Sequence, residues 1–139
     1  MIIALDCEFN GFGGELISMA LVASDGQEFY EVLACEHPVE WVTENVMPIL
    51  GKYPVSLLEF QHKLEEFLCQ YEQPVVVADW HEDIKYLCDS IIVGPGMRLN
   101  VPEMVFMVKN IEAPSEVPHN ALEDARGIME HIINESYGE

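Results

Sequence analysis

Asp6 and Glu8 stand one residue apart in the run Ile2–Phe9, which reads Ile-Ile-Ala-Leu-Asp-Cys-Glu-Phe. A short stretch of β-branched and apolar residues reads as a buried strand, and strand side chains alternate between faces. The two carboxylates then point the same way, about 7 Å apart at the backbone, with Cys7 on the opposite face. Two acids side by side at the end of a buried strand repel each other and lose solvation, a conflict that a divalent cation resolves. The structural alternative is a strand that stops at Leu5, with both acids in a solvated loop.

Two further segments set acids against an apolar background. In Ala78-Asp79-Trp80-His81-Glu82-Asp83-Ile84-Lys85-Tyr86-Leu87, two aspartates sit where a buried strand meets a helix. Asp79 and Glu82 fit a helix N-cap with its reciprocal acid, a sufficient structural reason for both. Asp83 lies four residues before Leu87 and borders the face that packs on the sheet, so it is the better candidate for a site, with Asp79 left open. In His119-Asn120-Ala121-Leu122-Glu123-Asp124-Ala125, Asn120 and Glu123 read as another capping pair, while Asp124 falls on the buried stripe. A carboxylate there calls for a cation. A lone loop histidine usually does nothing, but His119, beside a metal site, is a candidate general base.

The elements that must position these residues follow from patterning. Asn10-Gly11-Phe12-Gly13-Gly14 is a turn after the acidic strand, where a substrate can approach the backbone closely. Leu16–Ala23 and residues 28–33 flank Ser24-Asp25-Gly26-Gln27 and read as a hairpin, giving a three-stranded antiparallel start. Residues 41–50 are a short Pro-interrupted helical segment. Ser56 and Glu59 form a capping box ahead of an amphipathic helix carrying Leu57, Phe60, Leu64, Phe67, Leu68 and Tyr71. Val75–Ala78 is a fully apolar run typical of a buried parallel strand, so strand, helix and strand make a crossover unit. A second helix runs over residues 80–90, residues 97–109 are apolar but undecided between strand and helix, and residues 110–118 form a loop of the kind that covers a site. The last helix starts near Asn120 and carries Ala121, Ala125, Ile128, Met129, Ile132 and Ile133 on one stripe.

Composition narrows the function classes. The 139 residues make one domain, 1–139, half of them hydrophobic, and 25 acids against 6 Lys and Arg leave a net charge of -19. Such a surface repels nucleic acid and anionic membranes at long range, so any nucleic-acid role must depend on metal ions or a local basic spot. The four cysteines lack CxxC or zinc-type spacing, no basic leader precedes the first strand, and no apolar run approaches the roughly 20 residues that span a bilayer. A cytoplasmic protein with reduced thiols and no membrane partner is expected.

Asp6-Cys7-Glu8, Asp83 with Ile84-Lys85-Tyr86-Leu87, and His119 through Ala125 together resemble the three motifs of the DEDDh 3′-to-5′ exonucleases of the ribonuclease H-like superfamily. The third motif is the most specific, matching His, any, Ala, two of any, Asp, Ala. Asp-x-Glu-Phe, Glu15-Leu16-Ile17-Ser18 and the segment from Trp41 to Pro48 look like the small exoribonuclease group typified by the mycobacterial adenylate-specific ribonuclease. One departure stands out: Glu82 precedes Asp83 where relatives usually have an aromatic residue, which keeps both Asp79 and Asp83 in play.

The resemblance implies an α/β ribonuclease H-like fold, a mixed central sheet whose first three strands are antiparallel and whose helices lie on both faces. It implies two divalent ions, Mg²⁺ or Mn²⁺, on the hard oxygen ligands Asp6, Glu8, Asp83 and Asp124, with His119 taking a proton from the attacking water. Glu8, Phe9 and Asn10 are the implied substrate contacts, Glu8 for the terminal 3′ hydroxyl and Phe9 for stacking on a terminal base. The expected reaction releases nucleoside 5′-monophosphates from a single-stranded RNA or DNA 3′ end, RNA before DNA, and relatives are often homodimers. The rival reading is a non-enzymatic acidic protein that mimics or binds in place of nucleic acid. In that case the acids should be spread over exposed faces.

Overall fold

A computed structural model defines the fold for residues 1–112 and 115–137. Strands β1 (Ile2–Phe9), β2 (Leu16–Ala23) and β3 (Glu28–Val32) make the antiparallel start that the apolar runs predict. The hairpin turn is closed by Asp25, whose Oδ1 accepts the Gln27 N–H at 3.0 Å, and by Gly26 at φ +94°, a left-handed conformation that glycine tolerates.

After β3 come α1 (Glu40–Asn45), a single 3-10 turn (Met47–Ile49), α2 (Leu57–Leu68), β4 (Val75–Ala78) and α3 (His81–Ile91). The region undecided between strand and helix is strand on both sides of a loop. Met97–Arg98 (β6) pairs with Ile92–Gly94 (β5) in a small hairpin, and Val105–Val108 (β7) joins the main sheet. The expected loop over 110–118 is irregular where described, residues 113 and 114 lying outside the described residues, and α4 (Ala121–Tyr137) closes the domain.

The order across the sheet is β3-β2-β1-β4-β7 and differs from chain order. The crossover through α2 does not set β4 beside β3; it carries the chain past the hairpin to the far side of β1, where β4 pairs in parallel from Ile2↔Val75 to Ala4↔Val77. β7 then adds in parallel to β4. The architecture is therefore α/β with a mixed five-stranded sheet and β1 at its centre.

Helices cover both faces. Odd-numbered β1 residues Ile3, Leu5 and Cys7 pack with Phe60, Leu64 and Leu68 of α2 and Leu87 and Ile91 of α3, while Ala4 packs with Ala121, Ala125, Ile128 and Met129 of α4. Each fully buried Leu or Phe of this kind contributes about 1.5–3 kcal/mol of transfer free energy. Both capping residues hold: Ser56 Oγ accepts the Glu59 N–H at 3.1 Å and Asn120 Oδ1 accepts the Glu123 N–H at 3.0 Å. Neither glutamate reciprocates, since Glu59 pairs with Lys63 and Glu123 with Arg126. No described helix is long and apolar enough to cross a membrane.

Candidate metal centre

β1 outruns its parallel partner. Pairing with β4 stops at Ala4↔Val77, and beyond that the strand's last acidic turn faces a notch at the carboxyl ends of β1 and β4. Parallel strands end in such crevices, and ligands of open α/β sheets bind there. Asp6 projects into the notch at 9% exposure, Glu8 follows it on the same face, and Cys7 goes into the opposite core, as strand alternation requires. The structure thus excludes the alternative in which the strand ends at Leu5.

Two helices, one from each layer, bring the other acids. α3 carries Asp83, 3% exposed, whose Oδ1 accepts the Cys7 N–H at 3.1 Å and so caps an amide that β4 is too short to pair. From the other face, α4 presents Asp124 beside His119 and Ser115. Carboxylate oxygens of Asp6, Glu8 and Asp124 all lie within 4.8 Å of one another, and so do those of Asp6, Asp79 and Asp83. Asp6 belongs to both sets.

Asp79 does not cap α3. The expected N-cap role fails because α3 starts one residue later than the pattern implies: Trp80 occupies the cap position without a side-chain bond, and Glu82 accepts the Trp80 indole N–H instead of closing a capping box. Freed from that role, the half-buried Asp79 turns to Asp6 and Asp83. The structure brings both candidate aspartates of the second segment to the site.

Burial pushes the Asp6 carboxyl well above the usual carboxylate range, and the charges of Asp83, Glu8, Asp124 and Asp79 push it further. Burial, then Asp124 and Asp83, raise Glu8 to about 8. Asp83 also rises to about 8, through burial and then Asp79, against the stabilising Cys7 N–H. Asp79 and Asp124 are raised by burial as well, Asp124 being held back by Ser115 and His119. No lysine or arginine forms an ion pair with any of the five among the described residues. Asp6 Oδ2 is buried without a hydrogen-bond partner. Orphaned buried oxygens and mutually repelling acids are what a hard divalent cation satisfies, and an all-oxygen donor set suits Mg²⁺ or Mn²⁺ and not zinc.

No protein-family model matches the chain, and no curated protein matches it significantly.

His119 is exposed at the mouth of the notch in the left-handed conformation, φ 72°, with its ring edge-on to Trp41 at 4.9 Å between centroids. Asn120, next to it, anchors the start of α4 by donating to the Ile49 carbonyl at 2.8 Å. That bond docks the histidine-bearing loop on the 3-10 turn.

Phe9 and Asn10 are placed otherwise than expected. The Phe9 ring stacks on Tyr86 at 4.6 Å and packs into the core, because strand alternation puts it with Cys7 on the α3 side of the sheet, opposite Glu8. Its face is already occupied. Asn10 spends its amide on the loop, donating to Glu15 Oε1 and the His37 carbonyl and accepting the Val39 N–H at 2.8 Å. The turn beyond it is so tight that a Cβ on Gly14 would stand 1.9 Å from the Asn10 carbonyl oxygen.

Different aromatic residues frame the acids. Phe12, 97% exposed, with Trp41 and Trp80, more than half exposed, lines a cleft of about 520 Å³ together with Asp6, Glu8 and Asp83. Both tryptophans of the chain are at this one cleft. Phe12 and Trp80 stand close in sequence to Glu8 and Asp79, which was the available signal; Trp41, in a separate segment, carried none.

Proposed function

We propose that the chain is a metal-dependent 3′-to-5′ exonuclease of the DEDDh type on a ribonuclease H-like fold, releasing nucleoside 5′-monophosphates from single-stranded 3′ ends, RNA before DNA. The observation that carries this reading is Asp6, shared by two carboxylate triads at the strand ends beside an exposed histidine. Asp6, Glu8 and Asp124 would hold one divalent cation, and Asp6, Asp79 and Asp83 a second. When bound, such a pair of cations favours ionisation of the attacking water and neutralises charge on the phosphate and the leaving oxygen.

The remaining work falls to side chains. His119, exposed beside Asp124, accepts the proton of the attacking water, and its edge-on contact with Trp41 sets the ring's direction. Glu8 can also accept the terminal 3′ hydroxyl, which selects chain ends. Phe12, Trp41 and Trp80 offer faces on which unpaired bases stack, whatever their sequence.

Charge favours a short single strand as the substrate. Of the six basic residues, Lys52, Lys63, Lys85, Lys109 and Arg126 are in ion pairs with the protein's own acids, and Arg98 makes no ion pair among the described residues. A phosphate track along a duplex has nothing to be built from, so affinity rests on the cations and the aromatic cleft. The acidic-mimic reading loses ground for the same reason that the site gains it: five acids converge on one partly buried point.

The test is release of mononucleotides from 5′-labelled single-stranded RNA and its DNA counterpart with Mg²⁺, Mn²⁺ or chelator, comparing wild type with Asp6→Ala and His119→Asn. A metal-dependent ladder from the 3′ end, abolished by Asp6→Ala and strongly slowed by His119→Asn, is the expected result. No ladder with either metal, from folded protein, overturns the proposal.

A further inference from the structure

The two edges of the main sheet are treated differently. At β3, Val55 donates its N–H to the Val32 carbonyl at 2.8 Å and Lys52 Nζ donates to the Tyr30 carbonyl at 2.7 Å, so that edge is covered. At β7, no described residue pairs with the outer side. Val105 N–H and Lys109 N–H point inward, to the carbonyls of Pro74 and Ala78. By the alternation of a parallel ladder, Met104, Phe106 and Val108 turn their backbone groups outward.

This open edge is also apolar. Val105, Phe106, Met107 and Val108 are all exposed, at 55%, 39%, 47% and 37%. On the α3 side, Phe106 and Met104 border a cleft of about 360 Å³ that continues the patch to Ile92 of β5. Soluble proteins blunt such edges with charges, proline or a covering segment, and a flat apolar one is a template for another strand.

The geometry points to a second copy of this chain as that strand: two β7 edges pair antiparallel about a two-fold axis through Phe106, joining the two five-stranded sheets into one of ten strands. Outward-facing backbone must meet outward-facing backbone, which restricts the axis to Val105, Phe106 or Met107 within the strand's middle. Only the axis at Phe106 sets Glu103 of each copy opposite Lys109 of the other. With the axis at Val105, Glu103 meets Met107; with the axis at Met107, Lys109 meets Val105. In the favoured register Phe106 lies against Phe106, Met104 against Val108, and both ends carry an opposite-charge pair. Lys109 already binds Glu135 but has three donors, and Glu103, which accepts from Gln73 through Oε2, keeps its other oxygen free. The inference does not depend on the nuclease reading, since β7 contributes nothing to the metal centre.

Sedimentation velocity of the full chain across the micromolar range, with circular dichroism to check folding, tests it. A reversible dimer is expected for wild type. Phe106→Lys faces two ammonium groups across the axis and should weaken the dimer about tenfold or more. Glu103→Lys and Lys109→Glu should each weaken it, and the double variant Glu103→Lys with Lys109→Glu should restore it. That exchange uses solvent-facing side chains, so it decides the matter even where Phe106→Lys disturbs the strand. A wild-type chain that stays monomeric throughout overturns the proposal and leaves the edge to a strand from another protein. So does a dimer indifferent to Phe106→Lys, or a double variant no tighter than the single ones.

Discussion

The Asp83 carboxylate accepts the backbone N–H of Cys7 at 3.1 Å, so the acid contributed by α3 is tied to the amide that lies between Asp6 and Glu8. One oxygen of Asp83 builds the strand end, and the carboxylate as a whole still belongs to a triad with Asp6 and Asp79. The strand end and the candidate cation site meet in one side chain.

Asp83→Ala and Asp83→Asn should therefore differ. The alanine variant leaves a buried N–H without a partner, at a cost of about 1–3 kcal/mol. The asparagine variant keeps an acceptor and removes a charge from a repelling cluster, so in chelator it should melt no lower than wild type. Both should lose most of the stabilisation that Mn²⁺ confers on wild type. Thermal unfolding with and without Mn²⁺ reads all three; equal destabilisation by both substitutions would show that the Cys7 bond is unimportant.

Stability in the absence of divalent ions should fall as pH rises. Glu8 and Asp83 are both raised to about 8, Glu8 from an ordinary 4.5 and Asp83 from 3.8, with burial the first cause in each. Between the ordinary and the raised values the folded chain holds more protons than the unfolded one, so the free energy of unfolding declines with pH across that window. Below it both states are protonated and the penalty vanishes; above about 8 the penalty is complete. In chelator the melting temperature should be higher near about pH 5 than near about pH 9. Saturating Mg²⁺ should flatten that slope, because cations keep the carboxylates ionised in the folded state. A flat profile in chelator would mean that the cluster is not strained.

His119→Asn should lower kcat by about 10²- to 10⁴-fold, the usual contribution of a positioned general base. Asparagine tolerates the left-handed backbone at this position, where φ is 72°, so the loop should keep its course. Mn²⁺ binding, followed by the metal's relaxation of water protons, should be unchanged. Loss of metal together with activity would assign His119 to the cation site and not to proton transfer.

Phe12→Ala and Trp80→Ala should act on binding. Base stacking contributes about 1–3 kcal/mol per base, so each should weaken oligonucleotide affinity by roughly 5- to 150-fold with little effect on kcat. Phe9→Ala should do the reverse, costing about 3 kcal/mol of stability through its lost packing on Tyr86 and the core, with affinity preserved in the folded fraction. Fluorescence anisotropy of a labelled trinucleotide in Mg²⁺ with a catalytically slow background such as His119→Asn separates the two.

Local rules suffice for much of this fold. The period of two in Ile2–Phe9 determined that Asp6 and Glu8 share a face and Cys7 does not, because a pleated backbone leaves no other choice. Asp25-Gly26 determined a hairpin, and Ser56 and Asn120 determined where two helices begin, because each signal acts within four residues. The stripes of α2 and α4 declared which sides face the sheet, apart from Leu57 and Ile133, which are exposed.

The assembly of the centre was decided elsewhere. Asp79 is released from a capping role only because α3 starts at His81, and it reaches Asp6 only because β4 lies next to β1 and not next to β3. Phe9 and Asn10, attractive as substrate contacts in one dimension, are consumed by Tyr86 and by His37 and Val39, residues 27 or more positions away. The bare outer side of β7 is invisible until the strand order places it at an edge. Chain-local patterning dictates which way a side chain faces; which groups it meets there depends on contacts between distant segments, and those form only when the whole core is packed.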